Sequence, residues 1–189
     1  MPRRRLCISI ALLGACNGGS KQAAPAEVTP IEVRDDQGVI AELMPIKPCR
    51  AKVGDQEMII GGPPILSQLG ETRWMGTDGS NATTFEKDGQ RIARLYPLAD
   101  PAQAAVLDTQ GVALMRVKVT GDKASVTDAA TVPVRNLVKQ EKSISVDAPI
   151  ALTVTGTDDL VLAALLTAPE LVPEVRMLAA CERVLVKGS

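Results

Sequence analysis

Histidine is absent from this chain. Its absence excludes a Ser-His-Asp triad, a Cys-His dyad and any zinc site built on imidazole. Aromatic residues are nearly absent too: Trp74, Phe85 and Tyr96 are the only three among 189 residues. Three rings cannot build the stacking platforms on which single-stranded nucleic acids lie. Neither sign of charge is in excess, because 21 Lys and Arg face 22 Asp and Glu for a net of −1. A nucleic-acid backbone therefore meets no general attraction, and no nucleic-acid partner is expected. No apolar run reaches the ~20 residues that a membrane-crossing helix needs. The pattern requires no cofactor and no metal.

What is present is an ordinary globular balance of 46% hydrophobic and 23% charged residues, enough for a single domain. The first thirty residues stand apart from it. Arg3, Arg4 and Arg5 open the chain, and Leu6 to Leu13 follow as a short apolar stretch, the layout of a secretory signal over residues 1–15. Next comes Leu13-Gly14-Ala15-Cys16. This resembles the lipobox of bacterial lipoproteins: an aliphatic residue, two small residues, then cysteine. The resemblance implies that Cys16 becomes the mature N-terminus and carries acyl chains, palmitate among them, which hold the protein on a membrane of the cell envelope. Asn17 in place of Asp implies the outer membrane. Buried methylenes at ~0.8 kcal/mol each make such an anchor stable. The alternative is an ordinary secretory signal in which Cys16 is incidental. Residues 16–30 are small, polar and broken by proline, which suits a flexible tether. Removing three arginines with the signal leaves a mildly acidic mature chain, so the lipid and not electrostatics is expected to do the anchoring.

Cys49 and Cys181 remain. Outside the cytoplasm such a pair either forms a disulfide or stays as two separate buried thiols. A catalytic thiol would need a basic partner, and histidine is lacking.

From Ile31 onward short apolar runs alternate with turn signals. Asp35-Asp36-Gln37-Gly38 separates Ile31–Val33 from Val39–Leu43. Related units recur at Asp88-Gly89, at Asp108-Thr109-Gln110-Gly111-Val112 and, in degenerate form, from Asp128 to Val132, while residues 40–45 (IAELMP) and 92–97 (IARLYP) match at four positions. Asp caps such a turn through its side chain and Gly accepts the positive φ. These turns lack the ring of oxygen ligands that would hold calcium. Eight to ten strands follow, the pattern of a mainly β, antiparallel, hairpin-built barrel or sandwich. Segment 61–84 reads instead as a long connection rich in Gly, Thr, Asp and Ser. It carries Arg73-Trp74-Met75, in which Trp74 either plugs one end of the core or forms a partner contact with its neighbours.

Residues 157–185 leave the strand pattern for helix. Leu160 to Leu166 is apolar on nearly every face and too short to span a bilayer, so it must be buried. Pro169 ends it and Pro173 can start a second helix, with Val175, Leu178, Ala179 and Cys181 largely on one side and Arg176, Glu182 and Arg183 seeking solvent or partners. The hairpins from Asp35 to Leu43, Asp88 to Leu95 and Leu107 to Asp128, followed by the helix Val175 to Cys181, are similar to the tubby-like superfamily of LURP-one-related proteins and phospholipid scramblases. That resemblance implies a β-barrel closed around an apolar helix over residues 31–189. It carries over no functional residue, because the acidic calcium strand and the basic phosphoinositide patch are missing.

The function expected is a membrane-anchored envelope lipoprotein of non-catalytic binding or scaffold type, with a protein partner. One alternative is a carrier of lipid or a small apolar ligand. Another is a hydrolase working without histidine, with Lys142-Ser143 or Asp158-Asp159 as candidates, though neither pair stands in a recognised catalytic spacing.

Overall fold

A computed structural model describes residues 28–61, 66–69, 72–79, 82–96, 100–147 and 149–187. Fourteen strands follow one another: β1 (Ile31–Arg34), β2 (Val39–Met44), β3 (Cys49–Val53), β4 (Gln56–Ile60), β5 (Leu66–Leu69), β6 (Thr72–Gly79), β7 (Ala82–Lys87), β8 (Gln90–Tyr96), β9 (Gln103–Leu107), β10 (Ala113–Thr120), β11 (Lys123–Thr127), β12 (Pro133–Lys139), β13 (Ser143–Asp147) and β14 (Leu152–Thr155). The helices α1 (Leu160–Leu166) and α2 (Pro173–Lys187) complete the chain. Each strand pairs antiparallel with its neighbours in sequence, and β1 pairs with β14 through Val33 opposite Val154, which closes the sheet into a barrel. A sandwich is thereby ruled out.

The strand number exceeds the eight to ten expected, and segment 61–84 accounts for part of the difference. It holds β5 and β6 instead of one long connection, with Gly76 of β6 opposite Phe85 of β7. Residues 72–79 (TRWMGTDG) have a mixed intrinsic strand preference, Thr and Trp favouring a strand and Gly and Asp opposing it. Ladder hydrogen bonds from a strand on each side decide the outcome.

Alternation sorts the wall into two faces. In β3, Cys49, Ala51 and Val53 are buried while Arg50 and Lys52 are exposed. In β10, Ala113, Met115 and Val117 point inward while Arg116 and Lys118 point out. The outward set, including Arg34, Glu57 and Arg94, belongs in water, the reverse of the apolar band on a lipid-facing barrel.

Fourteen strands about 4.8 Å apart enclose a lumen roughly 20 Å across, wider than side chains alone can fill. Two helices of about 10 Å diameter fill it. α1 leans on β10, β11 and β12, α2 on β3, β4 and β7, and the two pack against each other. Every residue of α1 is buried, which explains why it is apolar all round. Asp159 caps its start by accepting from the Val161 and Leu162 amides, and Pro173 begins α2, where a missing N–H costs nothing.

The up-and-down path gives the barrel two distinct ends. At the proximal end Val28–Pro30 lead into β1, and β14 hands over to α1 through Gly156. That glycine has φ +80°, and any Cβ there would collide with the Pro30 carbonyl oxygen. The distal end carries the aspartate turns. The Asp108 Oδ1 accepts from the Gln110 and Val112 amides, and the Asp128 Oδ1 accepts from the Ala130 and Val132 amides in the same way. These carboxylates are occupied as turn caps. Gly111 has φ +82° in the first turn, and Thr131 occupies the matching position in the second at φ +62°.

A β-branched residue in the left-handed region is strained, and glycine is not. Thr131→Gly should stabilise the protein by about 0.5–1 kcal/mol, the relief of strain exceeding the added entropy of the unfolded chain. Gly111→Thr should destabilise it by about 1 kcal/mol. Urea midpoints of the two variants, compared at equal slope, check both signs.

Candidate functional site

The lipobox residues Leu13, Gly14, Ala15 and Cys16 lie outside the described residues. Arg73, Trp74 and Met75 lie in β6, between β5 and β7, and so belong to the barrel wall and not to the tip of a loop. Cys49 of β3 and Cys181 of α2 are joined by a disulfide with Cα atoms 5.9 Å apart, both residues fully buried. The bond ties the second helix to the wall across a sequence separation of 132 residues. In the chain-entropy picture, a loop of that length stabilises by about 5 kcal/mol.

The structure brings Lys142, Ser143 and Asp158 to one shallow depression of about 350 Å³ at the proximal end. Their contacts are structural. The Ser143 hydroxyl donates to Gln140 Oε1 at 3.2 Å, an amide oxygen and not a base. Lys139 Nζ stands 3.1 Å from Asp158 Oδ2, and Asp159 caps α1.

Inside the barrel, the charged residues of the helices are held by the wall and by each other. Arg183 of α2 is 1% exposed. Its Nε donates to Asp159 Oδ2 at 2.9 Å, and its Nη1 donates to the Asp100 carbonyl oxygen at 2.7 Å. One guanidinium thus links the end of α2, the cap of α1 and the connection between β8 and β9. The Asp100 carboxyl lies below its usual range, chiefly because it accepts from the Ala102 amide and then from the Gln103 side chain. Toward the distal end, Arg135 of β12 grips both Glu170 oxygens, at 2.7 and 2.8 Å, and donates to the Thr167 carbonyl at 2.8 Å, closing the C-terminus of α1. Burial lowers the Arg135 pKa against the opposing pull of Glu170. Burial lowers that of Arg176 as well, with the Arg135 charge adding to it. Thr83 donates to Glu182 Oε1 at 2.7 Å, a buried tie from β7 to α2. These contacts position the helices.

The concave surface that remains lies on the outside of the wall. A depression of about 550 Å³ runs across β8 to β11, lined by Tyr96, Gln103, Ala105, Leu107, Arg116 and Lys118 and bounded by Ser125 and Thr127. A second, of about 490 Å³, continues it onto β12 with Thr120, Lys123, Asn136 and Val138, sharing Lys118 and Ser125. The register explains the shape. Ala105 sits between Tyr96 and Arg116, and Ser125 between Lys118 and Asn136, so small residues form the floor and longer ones the walls. Strands β9 to β12 hold no Asp or Glu in any position, whereas the nearby acids Asp108, Asp122 and Asp128 are confined to turns. Arg116, Lys118 and Lys123 are exposed and form no ion pair among the described residues. Sequence reasoning missed this trough, although four consecutive acid-free strands were a readable signal.

No family model, curated protein or solved structure matches this chain.

The buried contacts and the disulfide lead to measurable outcomes. Arg183→Met should cost about 3–5 kcal/mol in denaturant unfolding, because it takes the paired cation from the buried Asp159 carboxylate. Arg183→Lys should recover only part, lacking the fork that reaches both partners. The oxidised chain should weigh two hydrogens less than the reduced sequence by intact mass spectrometry, and reduction should lower stability by about 2–5 kcal/mol.

Proposed function

We propose that this protein is a lipid-anchored lipoprotein of the bacterial cell envelope whose barrel serves as a non-catalytic binding or scaffold module. The observation that carries the binding half is the filled lumen. α1 and α2 occupy the space in which a carrier barrel would hold its cargo, so recognition falls to the outer wall. The anchoring half rests on Leu13-Gly14-Ala15-Cys16 following a basic and then apolar leader. The fold is compatible with such an anchor, since Val28–Pro30 reach the barrel at its proximal end. Among the described residues no helix is long and apolar enough to cross a membrane.

The carrier reading loses support because Val161, Ala163, Ala164, Met177 and Leu178, all fully buried, fill the interior. The hydrolase reading loses support because the Ser143 hydroxyl donates its hydrogen bond to the Gln140 amide oxygen, which is no base, and both aspartates of its second candidate pair are engaged with cations.

The anchor is tested by expressing the full chain in a bacterial host fed a radiolabelled fatty acid. The wild-type chain should take up label and sediment with membranes. Cys16→Ala should take up none and move to the soluble fraction, while Cys49→Ala should keep its label. Unlabelled wild-type protein would overturn the assignment.

A further inference from the structure

We infer that the trough across the outer face of β8 to β12 binds an acidic glycan strand, a chain of sugar rings bearing carboxylate or phosphate groups. The inference rests on the reading of the outer wall as the binding surface and names the partner of that surface.

Charge comes first. The mature chain as a whole carries a slight acid excess, which hides a sorted surface. Arg116, Lys118 and Lys123 stand together on strands that hold no acid. Arg116 and Lys118 are two residues apart on one face, about 7 Å along the strand. An anionic partner meets two cations in line there and a third beside them at the start of β11. Asp122, next to Lys123, is in the turn at the end of the trough and outside its floor.

Shape and hydrogen bonding then select among anions. The two depressions form one trough across five strands, about 19 Å long at the usual spacing between strands. Its length accommodates several sugar units. Its neutral polar groups are Gln103, Thr120, Ser125, Thr127 and Asn136, an array of hydroxyls and amides that can donate to and accept from sugar hydroxyls. Tyr96 is 46% exposed at one end, where the flat C–H face of a sugar ring can lie on it. An acidic peptide is less suited. One common way for a sheet to hold an extended peptide is to add it at a free strand edge, and a closed barrel offers none. Without that ladder, the peptide N–H and C=O groups would have only side chains to pair with.

The test is calorimetric titration of the full-length protein in mild detergent with tetragalacturonate as probe, alongside neutral chitotetraose and hexaglutamate. Tetragalacturonate should bind at least about tenfold more tightly than either control. Arg116→Glu with Lys118→Glu should abolish that binding, and Tyr96→Ala should weaken it by about tenfold. Both substitutions lie on the exposed face and should leave the unfolding midpoint in place. Cys16→Ala should bind as wild type, so loss of the anchor and loss of the glycan site read out separately. Absence of tetragalacturonate binding would overturn the proposal. Equal binding of hexaglutamate with no effect of Tyr96→Ala would overturn it too, in favour of an acidic protein partner.

Discussion

The width of the barrel is the constraint on which the rest of this structure depends. A ring of fourteen strands cannot close over side chains alone, because its lumen would hold either water or a void, and apolar walls tolerate neither. The chain solves this by folding its own C-terminal segment back inside. α1 has no polar face because it has no solvent to meet, and α2 contributes Met177, Leu178 and Ala180 to the same core. The chain enters the barrel and hands over to α1 at the same end, where Gly156 passes against Pro30 with no room for a side chain.

Filling a barrel with a helical hairpin brings polar groups inside that must be paired. Several are matched to different parts of the wall. Arg183 joins both helices to the β8–β9 connection, Arg135 closes the C-terminus of α1 through Thr167 and Glu170, and Thr83 meets Glu182. A buried charge without its partner is worth several kcal/mol of instability, so these contacts specify how the hairpin sits more than they add to overall stability. The disulfide does the same by a covalent route, since it connects α2 to the one wall strand that places a cysteine inward at that height.

Charge on the outside follows from the same division of labour. Aspartates are drawn to the turns because their side chains satisfy turn amides, as Asp35, Asp108 and Asp128 do. Strands β9 to β12 hold lysine, arginine, serine and threonine but no acid. A balanced chain thereby acquires an acid-free wall over β9 to β12, a property that net charge conceals.

Much of this was legible along the chain. The alternation of β3 and β10, the Asp-capped turns, the helix breaks at Pro169 and Pro173 and the burial of Leu160–Leu166 all follow from residues within a few positions of each other, because turn capping, strand alternation and helix periodicity are local. The strands β5 and β6 were not legible, since β5 is only four residues long and Gly76, Asp78 and Gly79 interrupt the strand formers of β6, so neighbouring hydrogen bonds decide both. Closure through β1 and β14, the pairing of Cys49 with Cys181 and the grip of Arg183 on Asp159 and Asp100 join residues dozens of positions apart. The trough likewise exists only where separate strands lie side by side. By itself the sequence determined that hairpins would form, where they would turn and that an apolar helix must be hidden. Tertiary structure alone decided that the hairpins close on themselves, that the helices fill the ring and that the cations meet on its outside, because those outcomes depend on distances between segments that no local rule sets.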